Sequence, residues 1–257
     1  MLEALLAGAV EDARERERER PLRAVEAAAL DMPPALDAVA ALAPRETVHV
    51  IAEIKRASPS RGSLATIPDP ARLAREYADG GASAISVLTE GRRFGGSLRD
   101  LRDVREAVDV PILRKDFLAT EYQLLEARAA GADIVLLIVA ALEQRVLARL
   151  HDFALELGMS VLVETHDAEE VARAADVGAR IVGVNARDLS TFELDRSLFG
   201  RIVDRIPEGA IRVAESAVTS PEDVAAYRAA GADAVLVGEA LVTGGDPAAA
   251  VRSYLEV

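Results

Sequence analysis

The chain carries thirty basic side chains, and only two of them, Lys55 and Lys115, are lysines. Arginine serves as well as lysine on a solvated surface, but a guanidinium stays protonated where an ammonium can release its proton. A sequence that avoids lysine yet keeps two points to proton donation by at least one of them. Lys55 follows Glu53 by two residues in "VHVIAEIK" (48–55), and Lys115 lies in "VPILRKD" (110–116). Other apolar runs also end in polar groups. "MSVLVET" (159–165) delivers Glu164, and "IVGVNARD" (181–188) delivers Asn185 with Arg187 two beyond. "AIRVAES" (210–216) delivers Glu215 and Ser216, "VLVGEAL" (235–241) delivers Gly238 and Glu239, and Thr89–Glu90 follows "ISVL". Ammonium groups, carboxylates and an amide brought together are the parts of general acid–base catalysis. A single charge after an apolar run is ordinarily a solvated loop entrance, but repeated endings of this kind need a common cause.

That cause is visible in the spacing. Four segments echo one another: "ADGGASAISVL" (78–88), "AAGADIVLLI" (129–138), "ADVGARIVGV" (175–184) and "AAGADAVLVG" (229–238). Each ends a helical pattern, passes a glycine and enters a short apolar run, which reads as helix stop and then buried strand. The echoes recur roughly every 50 residues, and a barrel βα unit takes about 30, so another strand belongs between each pair. Eight strands are predicted, at 48–55, 84–88, 111–114, 134–138, 160–164, 181–184, 211–215 and 234–237. Continuous apolar strands alternating with helices imply a parallel sheet. Eight units, with no GxGxxG after the first strand, favour an α/β fold of the closed (β/α)8 TIM-barrel type over an open dinucleotide-binding sheet. In such barrels the active site lies at the C-terminal ends of the strands, where these polar residues fall. The period of two puts Glu53 and Lys55 on one face, inward at the mouth, and turns Arg114 away from the barrel centre.

Residues 1–257 are expected to form a single barrel domain, with 1–46 as an N-terminal helical extension and no second catalytic domain. "LEALLAGAVEDARERERERP" predicts a helix ending near Pro21, and "ALDAVAAL" a second one after Pro33–Pro34. The Arg/Glu run places opposite charges at i,i+3 and like charges at i,i+4, a solvated face of modest stability.

The net charge of −13 argues against nucleic acid and anionic membranes as partners. With no cysteine, the chain has no disulfide, thiolate nucleophile or cysteine-based zinc site. His49, His151 and His166 lack metal-ligand spacing, so no metal is expected. No apolar run reaches eighteen residues, and the acidic N-terminus does not fit a signal peptide, so a cytoplasmic enzyme with no membrane partner is expected. Acidity, scarce lysine and small apolar residues together predict a halophile-like surface suited to a high-salt cytoplasm. Coding bias toward G and C also favours arginine over lysine. A monomer or weak homo-oligomer is expected.

Loops after strands seven and eight form the recurrent phosphate site of these barrels. Here they offer Ser216, Ala217, Gly238 and Glu239, with Gly238 allowing close backbone approach or simply a tight turn. "ASPSRG" (57–62) reads as a mobile loop able to fold over a bound anion.

Taken together, "IAEIKRASPSRG", "SVLTEGRRFGGSLRDL", "PILRKDFL", "VLVETHD", "VGVNARDL", "VAESAV" and "VLVGEAL" resemble the indole-3-glycerol-phosphate synthase family of tryptophan biosynthesis. The match runs from strand one to strand eight, and the N-terminal extension is in keeping with it. The resemblance implies a carboxy-lyase that needs no cofactor. Its phosphorylated small-molecule substrate, 1-(2-carboxyphenylamino)-1-deoxyribulose 5-phosphate, would close to indole-3-glycerol phosphate, CO2 and water. It implies that Lys115 is the general acid on the ribulose carbonyl and Glu164 the acid/base carboxylate of the dehydration. Lys55 would meet the substrate carboxylate, a position also assigned proton-donor duty, while Glu53 and Asn185 orient these groups. Ser58, Phe117, Arg187, Glu215 and Ser216 match binding positions, and the backbone at Ala217, Gly238 and Glu239 matches the phosphate cradle. Phe117 fits either the substrate ring or ordinary core packing. Asp116, Glu53 and Glu164 are candidates for the carboxylate that keeps Lys115 charged. The family usually has glycine where this chain has Ala217, and if φ is positive there, alanine costs roughly 1 kcal/mol. Another phosphate-binding barrel enzyme, a Schiff-base aldolase or an isomerase, is the alternative reading. Phosphoribosylanthranilate isomerase relies on a cysteine that this chain lacks. A non-catalytic phosphate-ligand binding protein would leave the Glu53, Lys55, Lys115 and Glu164 cluster without a purpose.

Overall fold

The computed structural model describes residues 1–59, 61–188, 193–243 and 245–257. Eight parallel strands close into a barrel. They are β1 (His49–Ile54), β2 (Ala84–Leu88), β3 (Ile112–Lys115), β4 (Ile134–Ile138), β5 (Ser160–Thr165), β6 (Ile181–Asn185), β7 (Ile211–Glu215) and β8 (Ala234–Val237). Closure comes from β1, which pairs with β2 at Ile51↔Ala84 and with β8 at His49↔Ala234. The predicted strands fall within a residue or two of these bounds.

Strand alternation builds two cores. Ile51, Leu113, Leu136, Leu162, Val213 and Leu236 point into the barrel and form one buried cluster. Their neighbours Val50, Ile112, Val135, Val161 and Val182 point outward into a second cluster shared with the helices. Two residues beyond each inward apolar side chain the next inward position is reached, so Leu113 leads to Lys115, Leu162 to Glu164 and Val213 to Glu215.

Between the strands run α4 (Pro70–Asp79), α5 (Leu98–Arg105), α6 (Glu121–Ala129), α7 (Gln144–Glu156), α8 (Ala168–Asp176), α9 (Leu198–Ile202), α10 (Pro221–Ala229), α11 (Glu239–Thr243) and α12 (Pro247–Leu255). Their starts are written in side chains. Asp69, Ser97, Thr120, Asp167, Ser220 and Asp246 each accept a first-turn backbone N–H. Their stops use the echoed glycines: Gly131 and Gly231 adopt φ of 92° and 97°, where a Cβ would be strained.

The extension spans the barrel from mouth to floor as α1 (Leu2–Glu19), α2 (Leu22–Leu30) and α3 (Ala38–Ala41). Leu5 and Ala9 of α1 join the inner core at the C-terminal mouth. Ala13, Val25 and Ala29 pack on Tyr122 and Leu125 of α6. At the other end Leu36 donates its N–H to Asp133, and the Ala43 carbonyl meets His49 Nε2 at 2.8 Å.

Three sequence expectations change here. Helix α2 was not anticipated, because Pro21 supplies no side-chain cap and the helix is held by packing on α6. The helix expected over "ALDAVAAL" shrinks to Ala38–Ala41, because Asp37 inside that pattern accepts the Ala40 N–H and so starts the helix late. The stretch read as a mobile loop contains a small antiparallel hairpin, Ala57–Ser58 with Gly62–Ser63. Ser60 in that stretch, and Leu189 of "VGVNARDL", lie outside the described residues.

Candidate active site

The C-terminal mouth holds a cavity of about 300 Å3, a size that suits a small ligand. The expected catalytic, substrate-binding and phosphate-binding residues line it: Glu53, Lys55 and Ser58 on and after β1, Lys115 and Phe117 at and after the end of β3, and Glu164 on β5. Asn185 and Arg187 follow β6, Glu215, Ser216 and Ala217 follow β7, and Gly238 and Glu239 follow β8.

At the centre Lys115 Nζ donates to Glu164 Oε2 and Glu215 Oε2, each at 2.7 Å. Burial would strip this ammonium of its charge, but Glu164, Glu215 and, further off, Glu53 outweigh burial and hold its pKa well above the ordinary lysine value. The two carboxylates diverge. Burial opposes ionisation of Glu164, yet Lys115 and His166 bring its pKa far down. Burial and the neighbouring Glu164 charge push Glu215 up to about 8, despite Lys115. The site therefore holds one firm carboxylate and one carboxyl group poised near neutrality, a pairing suited to base and acid work.

Of the three expected partners of Lys115, Glu164 touches it, Glu53 acts on it only through its charge, and Asp116 belongs elsewhere. Asp116 accepts from Thr89 at 2.6 Å and from Arg114 at 2.9 Å, and Glu53 pairs with Lys55 at 2.6 Å. Glu215, expected only as a binding residue, takes the place beside Lys115. Glycine explains how it fits. A Cβ on Gly183 of β6 would lie 2.0 Å from Glu215 Oε1, so only glycine leaves room for that carboxylate. Gly238 does the same for the other pair: a Cβ there would lie 2.5 Å from Glu53 Oε1 and 3.1 Å from Lys55 Nζ. Its role is space for a charged pair rather than a positive-φ turn.

Asn185 is fixed on both ends of its amide. Its Nδ2 donates to Glu164 Oε1 at 3.1 Å, while its Oδ1 accepts from the Arg187 N–H at 3.0 Å and Ser216 Oγ at 2.9 Å. Ser216 and Ala217 both adopt left-handed φ, 65° and 63°. Ala217 thus sits where alanine carries about 1 kcal/mol of strain, which a glycine would avoid. Arg61 reaches from the hairpin to Glu239 at 2.7 Å and ties that loop to the start of α11. Leu5, Phe94, Phe117, Ile138 and Leu236 add an apolar wall to the cavity. Phe117 and Phe94 stand 6.2 Å apart, so Phe117 both packs in the core and faces the cavity.

Thr89 and Glu90, expected at the rim, do not line the cavity. Thr89 serves the Arg114–Asp116 cluster, and Glu90 accepts the N–H groups of Arg92, Arg93 and Phe94 and so shapes the loop after β2. Sequence reasoning missed His166, which sits 3.5 Å behind Glu164, and Arg196, which lines the cavity and pairs with Asp223 at 2.5 Å. His166 directly follows the Glu164–Thr165 pair and could have been flagged; Arg196 lies in a loop with no distinguishing pattern. Among the described residues no cluster of His, Asp or Glu is arranged to hold a metal, and no helix is long and apolar enough to cross a membrane.

Among solved structures, a 3-hexulose-6-phosphate synthase from Salmonella typhimurium superposes with a TM-score of 0.63 at 19% identity, over 81% of this chain and 97% of that one. A thiamine phosphate pyrophosphorylase from Pyrococcus furiosus gives 0.61 at 16% identity, over 82% and 94%. These likenesses show the barrel fold. Sequence relatives are much closer. An indole-3-glycerol phosphate synthase of Leifsonia xyli is 66% identical over 254 residues, covering 99% of this chain and 97% of that protein. One of Mycobacteroides abscessus is 58% identical over 256 residues, covering 99% and 93%. The sequence model of the indole-3-glycerol phosphate synthase family matches residues 2–254. The chain belongs to the indole-3-glycerol phosphate synthase family.

Proposed function

We propose that the cavity closes the indole ring of 1-(2-carboxyphenylamino)-1-deoxyribulose 5-phosphate, releasing CO2 and water, in tryptophan biosynthesis. The observation that carries this reading is Lys115, a part-buried ammonium held between Glu164 and Glu215 at 2.7 Å each. As the ring carbon bearing the carboxylate attacks the ribulose carbonyl, the carbonyl oxygen must gain a proton. Lys115 supplies it, a contribution worth typically 10²–10⁴-fold in rate. Loss of CO2 restores the aromatic ring. The new hydroxyl then takes a proton from Lys55, which the departed CO2 has freed, and leaves as water, while Glu164, held as a carboxylate, withdraws the proton from the five-membered ring.

Lys55 meets the substrate carboxylate. Glu53, bonded to it, moderates that cation, so the group that must leave as neutral CO2 is not held too tightly in the ground state. Asn185 keeps Glu164 aimed. The apolar wall takes the aryl ring. Backbone at Ala217, Gly238 and Glu239, with Ser216 and Arg187, cradles the phosphate, and Ser58 lies in the loop above it. A Schiff base at Lys115 is disfavoured because an ammonium paired to two carboxylates is no nucleophile. The experiment is a fluorescence assay for the indole product with borohydride added in a parallel arm. Turnover with no covalent adduct is expected. A trapped adduct on Lys115, or phosphate-ligand binding without turnover, would overturn the reading.

A further inference from the structure

His166, a titratable side chain, touches the catalytic carboxylate Glu164, yet the proposed reaction does not use it. It stands in the loop between β5 and α8, outside the cavity, and reaches Glu164 from behind. Its ring is clamped at one end: Nδ1 lies 3.0 Å from Glu170 Oε2, which also accepts the His166 backbone N–H at 2.7 Å. Glu170 is itself fixed, because its N–H is the one that caps α8 on Asp167 at 2.8 Å. That clamp sets the other nitrogen. Nε2 is buried without a hydrogen-bond partner and lies 3.5 Å from Glu164 Oε1. The geometry is an ion-pair contact that a small side-chain shift would close into a hydrogen bond.

The two oxygens of Glu164 thus have separate environments. Oε2 accepts from Lys115, while Oε1 accepts from the Asn185 amide and faces His166. The charged groups around this pair are Lys115 from β3 and Glu215 from β7 on the barrel side, and Glu170 from α8 on the outer side.

We propose that His166 is a positioning residue: anchored by Glu170, it presents Nε2–H to Glu164 Oε1 and keeps that carboxylate aimed and ionised through the catalytic cycle. The inference rests on the reading of Glu164 as base. Its value lies in timing. Once Lys115 has given its proton to the substrate, Glu164 has lost its barrel-side cation just before it must withdraw a proton. His166 supplies a second cation on the other oxygen, and that one does not take part in ring closure. Burial opposes the charge on His166, but Glu164 and Glu170 outweigh it and raise the ring to about 10. Burial lowers His49 and His151, so the three histidines of the chain divide cleanly.

That division makes the test direct. Side-chain nitrogen NMR of 15N-histidine-labelled protein should show one ring protonated to above about pH 8 and two neutral near pH 7. Glu170→Gln and Glu164→Gln should each lower the midpoint of the high-titrating ring by about one pH unit or more. In turnover, His166→Gln keeps an N–H donor but not the charge. It should move the acid limb of the kcat profile up by about one pH unit. A merely structural role would lower the plateau or the melting temperature without moving the limb. A wild-type His166 that titrates near its ordinary value would overturn the proposal, whatever the variants do, and so would an acid limb that stays in place in His166→Gln. Wild-type turnover by Glu164→Gln would overturn it by a distinct route, through the reading on which it rests, with the NMR result unchanged.

Discussion

Gly183 shows how far single residues govern this site. It has no side chain, and that absence leaves the room in which Glu215 stands beside Lys115. Gly183→Ala is expected to push Glu215 off Lys115 and lower kcat by roughly tenfold to a hundredfold, the usual result of displacing a catalytic group by about an ångström. Because Glu215 no longer raises the ammonium, the lysine should also be easier to deprotonate, so the alkaline limb of the kcat profile should move down. Steady-state kinetics against pH check both points, and an unchanged profile would show that Glu215 does not set the charge of Lys115. The importance of Lys115 was legible in the sequence, since residue type alone separates it from twenty-eight arginines. Its partner was not. Several inward carboxylates satisfied the alternation, and the choice among them depends on a missing Cβ on the neighbouring strand.

Strands and helices hold the reacting groups through buried polar clusters. Arg114, only 1% exposed, donates to Thr89 Oγ1, Asp116 Oδ2 and the Gln123 carbonyl. Asp116 in turn accepts the Phe117 N–H at 2.8 Å, so this cluster fixes the end of β3 and the direction of Lys115. Arg114→Leu would leave Asp116 buried without its cation and is expected to cost about 3–5 kcal/mol. A urea midpoint that drops accordingly, and recovers in part when Asp116→Asn is added, would support this; a midpoint within error of wild type would contradict it. At this scale the sequence was read well where local chemistry decides. Gly131 and Gly231 stop helices and Asp69 and Ser220 start them, so the βα units could be counted. It was read poorly where tertiary packing decides, as in α2, whose Val25 and Ala29 are buried only because α6 lies beneath them. The turn of Arg114 toward α6 followed from alternation alone, but its full set of partners did not.

At the scale of the whole molecule, an acidic chain carries both of its lysines at the barrel mouth. Net charge is −13, and self-repulsion of this size destabilises the compact state until salt screens it. If the composition is an adaptation to a high-salt cytoplasm, the unfolding midpoint should rise strongly between low and molar salt. A flat profile would remove that expectation and leave coding bias as the source of the arginines. Pairs such as Arg92 with Glu11 and Asp12, which tie α1 to the loop after β2, are exposed and should weaken as salt rises. The extension still has its buried anchors, Leu5 at the mouth and Leu42 in the floor.

The central claim is that Lys115 acts by giving up a proton rather than by its charge. The most direct measurement is kcat of Lys115→Arg in the indole-product fluorescence assay, with folding verified by circular dichroism. Arginine keeps a cation between Glu164 and Glu215 but does not release a proton. A fall in kcat of about 10² or more, in a variant that still folds and binds the phosphorylated substrate, is the predicted result. Activity near that of the wild type would contradict it.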